Sequence, residues 1–319
     1  MNDEQKNIVF GPVPSRRLGK SLGINNIPPK YCTYACIYCQ LGRTPHMQIK
    51  RESFYDTNEI IDQVKEKIKK TKEKKEHIDY LTVVPDGEPT LDINLGSLIK
   101  KLKQFSFPVA VITNASLLYR EDVRNDLFSA DWISVKIDAI RANTWKRVDR
   151  PHGKLDHQQI LEGITRFSKQ FTGDLCTETM LIDTVNDDPI ELQQLASFIK
   201  ELQPKTSYLS IPTRPPAESS VQPASEKTLA YAYQQFTNRK IPTEYLIGYE
   251  GNAFAFTGDA EQDILSITAV HPMRQDAIDQ FLKKAHEDVS LINRLLKQQK
   301  LVKHTLNKTT FYSRKIPER

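Results

Sequence analysis

The stretch PVAVITNASLLYREDVRNDLFSADWISVKID, residues 108–138, decides how the chain is built. Its ends, VAVIT at 109–113 and WISVKI at 132–137, are short and almost continuously apolar, and each stops at a polar residue, Asn114 or Asp138. Between them, Leu117 to Phe128 carries apolar residues at helical spacing. A strand that is apolar on both faces must be covered on both faces, so the succession reads as strand, helix and parallel strand.

The same alternation extends in both directions. Toward the N-terminus, YLTVV at 80–84 precedes a helix-like run at 93–105, and LGINNI at 22–27 lies before that. Toward the C-terminus, helix-like 157–171 leads to LCTETMLI at 175–182, and 190–202 leads to SYLSI at 207–211. These six strands predict an α/β fold, a partial (β/α)6 barrel over residues 1–215, with its chemistry in the loops that leave the strand C-termini. The Pro/Ser-rich PTRPPAESSVQPAS at 212–225 reads as a surface connection. It opens a connecting α/β segment, 216–265, with a helix-like run at 226–236 and strand-like EYLIGY at 244–249. The tail, 266–319, holds two helical runs, 275–285 and 289–299, and a basic hairpin at 301–315, the outline of a small C-terminal winged-helix-like region.

The 319 residues are 39% hydrophobic and 27% charged, enough to bury a real core. No run approaches the roughly 18 apolar residues of a membrane span, and MNDEQKNIVF lacks the basic flank and apolar stretch of a leader, so a cytoplasmic protein is expected. A net charge of +5 permits an anionic partner without requiring one. The lysine run at 65–75 is interleaved with Glu66 and Glu73 and follows Ile60, Ile61, Val64 and Ile68 at helical spacing, so it reads as a solvated helix face.

Three of the four cysteines, Cys32, Cys36 and Cys39, fall in PPKYCTYACIYCQLGRTP at 28–45, spaced C-x3-C-x2-C. Such clustering points to metal rather than to a disulfide framework. Structural zinc asks for four ligands, and His46 or the distant Cys176 would have to be recruited. Soft thiolates on one compact loop suit an iron–sulfur cluster, and a four-iron cubane held by three cysteines leaves one iron open. Cys176, alone on a strand, reads as a small buried hydrophobe.

This loop, with Tyr38 just before the last cysteine, resembles the signature of the radical S-adenosylmethionine (SAM) superfamily. The resemblance implies a [4Fe-4S] cluster on Cys32, Cys36 and Cys39, with SAM chelating the open iron and Tyr38 flanking the adenine. It implies reductive cleavage of SAM to a 5′-deoxyadenosyl radical that takes hydrogen from a substrate, with a ferredoxin or flavodoxin as the reductant. The turn Asp86-Gly87-Glu88-Pro89 is similar to the family's Gly-Gly-Glu-Pro, whose backbone receives the SAM amino group; Asp86 stands in place of the first glycine. Gly87 would serve an unusual dihedral or a close approach, and Glu88 would fix the loop or the ammonium. Thr113 and Asn114 resemble the strand-end Thr-Asn that supports SAM, while Asp138 and Glu178 fall where ribose-facing polar residues occur. The segment GPVPSRRLGKSLGINNIPPKYCTYACIYCQLGRT, 11–44, resembles the group related to archaeal wyosine-type tRNA synthases, a resemblance that does not carry the reaction with it; the substrate class, RNA or a nucleotide, is an expectation from the basic residues named below. Unlike those enzymes, this chain has no cysteine before Cys32 for a second cluster.

Arg16, Arg17, Lys20, Lys136, Arg147, Arg150, His152 and Arg214 would form a basic mouth, although structural pairing with acids is the expectation for most of them. Two rival readings stay open: an Fe-S or metal-containing nucleic-acid-binding regulator that uses the winged-helix-like tail, and a zinc-stabilised scaffold.

Overall fold

The computed structural model describes residues 8–247, 251–306 and 308–315. In chain order the elements begin with β1 (Val9–Ser15), β2 (Gly19–Ile24), the short pair β3 (Tyr31–Cys32) and β4 (His46–Met47), and α1 (Thr57–Glu73). There follow β5 (Tyr80–Val83), α2 (Leu95–Leu102), β6 (Val109–Thr113), α3 (Glu121–Leu127), β7 (Trp132–Lys136), α4 (Ala142–Val148) and α5 (His157–Gln170). The barrel part ends with β8 (Asp174–Met180), α6 (Pro189–Leu202), β9 (Thr206–Ser210), α7 (Glu226–Asn238) and β10 (Thr243–Leu246). The tail comprises α8 (Ala260–Val270), β11 (Met273–Arg274), α9 (Gln275–Ala285), α10 (Val289–Lys297), β12 (Leu301–Leu306) and β13 (Thr309–Arg314).

One eight-stranded sheet in the order β1-β2-β5-β6-β7-β8-β9-β10 curls into a half-barrel. The strands from β2 to β10 are parallel, and β1 runs antiparallel on β2. The six expected strands are β2 and β5 to β9. The sheet continues past residue 215, because α7 returns the Pro/Ser-rich connection to place β10 beside β9. Gly248 and Tyr249, at the end of the expected 244–249 strand, lie outside the described residues. β1 escapes a sequence reading because Gly11, Pro12 and Pro14 imitate a loop. As an edge strand it tolerates proline.

Alternation along the strands separates two layers. Leu22, Ile24, Leu81, Val83, Val109, Val111, Ile133 and Val135 face the helices in the main core. Their neighbours Ala110, Trp132, Cys176, Tyr208 and Leu246 form a separate apolar cluster with Leu18 inside the curl. Cys176 is thus a buried hydrophobe, as expected. Arg16, just past β1, donates to the carbonyl of Leu246 in β10 and ties the two ends of the sheet together.

The tail has the order helix, strand, helix, helix, strand, strand, with a sheet ordered β11-β13-β12. Its core of Ile264, Ile267, Ile278, Phe281, Leu291 and Leu295 takes in Phe10 and Val13 of β1, so the tail packs directly on the sheet edge. Gly23 makes room for this contact: a Cβ there would lie 2.0 Å from the Phe10 ring. A polar anchor joins the tail to α1, where buried Asp263 accepts from Lys67 Nζ at 2.7 Å and from Thr257 N and Oγ1 at 2.7 and 2.6 Å. Asp263→Ala would leave the half-buried Lys67 ammonium with the Thr257 hydroxyl alone and remove the acceptor of Thr257 N, at a cost of about 1–3 kcal/mol. The expected outcome is a lower urea midpoint; an unchanged midpoint would refute the anchor.

Candidate active site

The cysteine loop leaves the C-terminal end of β2 and is stitched to the fold on both sides. On one side Lys30 N donates to Asp86 O at 2.7 Å and Glu88 N to Tyr31 O at 3.0 Å. These bonds draw the turn after β5 against the loop. A Cβ at Gly87 would sit 1.9 Å from the Tyr31 carbonyl oxygen, so glycine serves close approach here and not a left-handed dihedral. On the other side Ala35 N donates to Asp149 O at 3.0 Å, Ile37 N to Val148 O at 3.0 Å and His152 N to Thr33 O at 2.9 Å. The stretch that follows α4 therefore runs alongside the loop.

Each loop thiol meets a different polar group. Asn114 Nδ2 lies 3.6 Å from Cys32 Sγ, Cys36 Sγ lies 3.4 Å from Asp149 Oδ1, and Lys30 Nζ lies 3.5 Å from Cys39 Sγ. Burial pushes the Cys32 thiol up to about 12 and the Cys36 thiol well above its ordinary value. The protons are thus held until a metal displaces them. Among the described residues no three His, Cys, Asp or Glu side chains form a group that would hold a single ion. A cubane makes a different demand, since each thiolate takes its own iron, and three soft donors on one loop fit it.

Glu88 acts as a strut. Its Oε1 accepts from Thr90 N at 3.0 Å, Thr90 Oγ1 at 2.5 Å and Thr113 Oγ1 at 2.6 Å, and its Oε2 accepts from Asn114 N at 2.7 Å. Of the two roles expected for Glu88, the geometry fills the loop-fixing one. Thr113 spends its hydroxyl on this carboxylate, while the Asn114 amide also donates to Thr33 Oγ1 at 2.8 Å, inside the cysteine loop. Asp86 is buried with its Oδ1 unpartnered. Burial raises its carboxyl to about 7, against the pull of Lys30 and Arg314.

Tyr38, Asp138 and Glu178 share a second network inside the curl. The Tyr38 hydroxyl donates to Asp138 Oδ2, and Asp138 Oδ1 accepts from Met180 N at 2.6 Å. Lys136 Nζ stands 3.5 Å from Asp138, 3.4 Å from Glu178 and 4.9 Å from the Tyr38 ring centroid. Arg17 pairs with Glu178 and lies over the Trp132 ring at 5.8 Å. Burial opposes charge on Lys136, yet Asp138 and Glu178 hold its ammonium above the ordinary value. Burial and the neighbouring Asp138 push the Asp149 carboxyl well up.

The cations expected to form a basic mouth are mostly structural. Lys20 pairs with Glu76, Arg150 with Glu218, and Arg147 donates to the Thr184 carbonyl. Arg214 reaches Gln40 Oε1 at 2.6 Å, directly after the last loop cysteine, and also touches the buried ring of His271 at 3.1 Å. Lys30, Asp149 and His271 were missed in the sequence. Lys30 sits in plain view in PPKYC, but Asp149 follows α4, a seven-residue helix too short to show a period.

A family model described as the Radical SAM superfamily matches residues 26–196, just over half the chain. A UPF0026 protein of Methanocaldococcus jannaschii is 44% identical over 317 residues, covering 98% of this chain and 97% of its own. The chain therefore belongs to the radical SAM superfamily and, within it, to the family UPF0026. It is a radical SAM enzyme, and members of the superfamily use a [4Fe-4S] cluster and SAM. In fold it is similar to a radical SAM methyltransferase from Sphaerobacter thermophilus, with a TM-score of 0.55 and 15% identity over 71% of this chain and 66% of that one. It is also similar to TYW1 with a lysine-pyruvate adduct bound, with a TM-score of 0.53 and 17% identity over 75% and 78%.

The Glu178 carboxyl carries a pH signature. Burial alone would raise it, but Lys136 and Arg17 hold it at about 2. An unfolded glutamate titrates near 4.3, so the stabilisation is complete above that value and is lost as pH falls toward about 2. It amounts to something on the order of 2–3 kcal/mol. Glu178→Gln should flatten that part of the stability profile, measured by urea unfolding between pH 5 and pH 2; an unaltered slope would refute the assignment.

Proposed function

We propose that Cys32, Cys36 and Cys39 hold a [4Fe-4S] cluster at the strand C-termini, with the fourth iron open to SAM. The supporting observation is the gathering of three thiols on one loop that the β5 turn and the post-α4 segment clamp from either side. When bound, the cluster supplies the electron that cleaves the sulfonium.

The protein's own groups orient that pair. Asn114 Nδ2 and Lys30 Nζ point donors at the sulfurs of Cys32 and Cys39, which favours the thiolate state. The backbone around Gly87 offers contacts to the SAM amino group, and Glu88 and Thr113 act behind it as positioning residues. Tyr38, Asp138 and Glu178 line the side toward the curl, where the adenosyl part of SAM would lie. A ferredoxin or flavodoxin provides the electron, which implies a cytoplasmic setting; no described helix is long and apolar enough to cross a membrane. RNA or a nucleotide is the substrate class we propose, on the anionic partner that the basic residues near the strand ends would suit.

The regulator reading asks for a tail free to read nucleic acid. α8 packs on β1, Asp263 pairs with Lys67, and His271 touches Arg214 beside the cysteine loop, contacts that tie the base of the tail to the barrel and favour the enzyme reading. Anaerobic reconstitution tests the proposal: about four irons and four sulfides per chain are expected, with an electron paramagnetic resonance signal of the reduced cluster that changes on adding SAM. Replacing Cys32, Cys36 and Cys39 together by Ala should abolish all of it. A cluster retained at full occupancy in that variant would reject the ligand assignment.

A further inference from the structure

The segment that flanks the cysteine loop is basic on its outer side. From α4 onward it exposes Lys146, Arg147, Arg150 and Lys154, and the loop itself contributes Arg43, whose side chain is 82% exposed. Glu218 answers Arg150 at 2.7 Å and Arg43 at 3.5 Å. Among the described residues Lys146 and Lys154 form no ion pair, so their charge is directed outward. Both residues are exposed.

The layer between this face and the cluster ligands is thin. The backbone of residues 148–152 is hydrogen-bonded directly to residues 33–37, and Asp149 Oδ1 lies 3.4 Å from Cys36 Sγ. Beneath Lys146 the buried Trp145 donates its indole N–H to the Tyr34 hydroxyl at 3.1 Å, with the two rings edge to face at 6.0 Å. The segment that carries the basic residues is thus in direct contact with the loop that carries Cys36.

We propose that the face carrying Lys146, Arg147, Arg150, Lys154 and Arg43 docks a small acidic one-electron carrier protein of the ferredoxin or flavodoxin type. This rests on the assignment of the cluster to Cys32, Cys36 and Cys39, and names where its electron enters. One electron leaves the carrier, which ends oxidised by one electron, and the cluster ends reduced by one; no atom is transferred. Charge complementarity selects the partner: opposite potentials speed encounter and fix orientation, with a strong dependence on salt. RNA would feel the same attraction, but single strands also need an aromatic surface for stacking, and the aromatic residue of this segment, Trp145, is only 4% exposed.

The test uses the reconstituted full chain, with photoreduced flavodoxin and dithionite as alternative reductants. Cluster content of the wild type is measured first, so that failure of the cluster assignment shows before any docking result. Lys146→Glu with Lys154→Glu should slow flavodoxin-driven cluster reduction about tenfold at low ionic strength and flatten its salt dependence. Reduction by dithionite should stay at the wild-type rate. A charge-matched control on α1, Lys65→Glu with Lys69→Glu, should leave both rates unchanged. The proposal is overturned if the face variant accepts electrons from flavodoxin as fast as wild type, if the α1 control slows equally, or if dithionite reduction falls in step. It is overturned as well if the face variant loses only its affinity for bulk tRNA.

Discussion

Four hydrogen bonds to one buried carboxylate fix the site. Glu88 gathers the backbone N–H groups of Thr90 and Asn114 and the hydroxyls of Thr90 and Thr113, and so binds the turn after β5 to the end of β6. Thr90 N and Asn114 N are backbone donors outside the sheet ladder that this carboxylate satisfies. With the turn anchored, Gly87 lets it come within contact of the Tyr31 carbonyl, and Asn114 carries the same order to Thr33 and Cys32. A carboxylate is suited to the task because it accepts several bonds at once without needing a donor of its own. Its four bonds go to the β5 turn and the end of β6, which makes it part of the scaffold, although its charge is near enough to Cys32 to raise that thiol further. Preorganisation of this kind matters where a cluster must be held without help from a fourth protein ligand.

Inside the curl the balance is electrostatic. Arg17, Glu178, Lys136, Asp138 and Tyr38 form a continuous chain of charge-assisted contacts in a buried space. Isolated, each charge would be costly to bury, and paired in sequence they compensate one another. Arg17 contributes from the β1–β2 turn, so the antiparallel strand hidden from sequence reading supplies both a wall and a counter-charge. Lys136 and Glu178 stand directly opposite one another on neighbouring parallel strands because β7 and β8 pair without a bulge.

The barrel was legible because its strands are buried on both faces. VAVIT, WISVKI and SYLSI read as strands of a sheet covered on both faces, and their polar ends marked where chemistry belongs. The cysteine spacing and the Asp86-Gly87-Glu88 turn were legible for a different reason, since local chemistry restricts which residues can stand there. What escaped depends on tertiary context. β1 contains prolines that only an edge position tolerates, and α4 is shorter than two full apolar turns. The partners of the site residues escaped too: nothing in the order of letters says that Thr113 turns its hydroxyl to Glu88, or that Asp149 comes to rest beside Cys36, 113 residues away.

The tail completes the half-barrel by occupying the side on which the sheet fails to close. An eight-stranded sheet whose end strands do not pair leaves two edges and an opening between them. Here the β1 edge is covered by α8 and the Phe10 contact, while Arg16 crosses to the Leu246 carbonyl at the far edge. Arg214 then joins the end of β9 to His271 of the tail and to Gln40 of the cysteine loop. Burial and the neighbouring Arg214 and Arg16 keep the His271 imidazole well below its ordinary pKa, so it meets the guanidinium as a neutral acceptor. A protonated ring would repel it. Phe254 packs edge-on against the same ring, so one buried imidazole links the tail core to the guanidinium that reaches Gln40 beside Cys39.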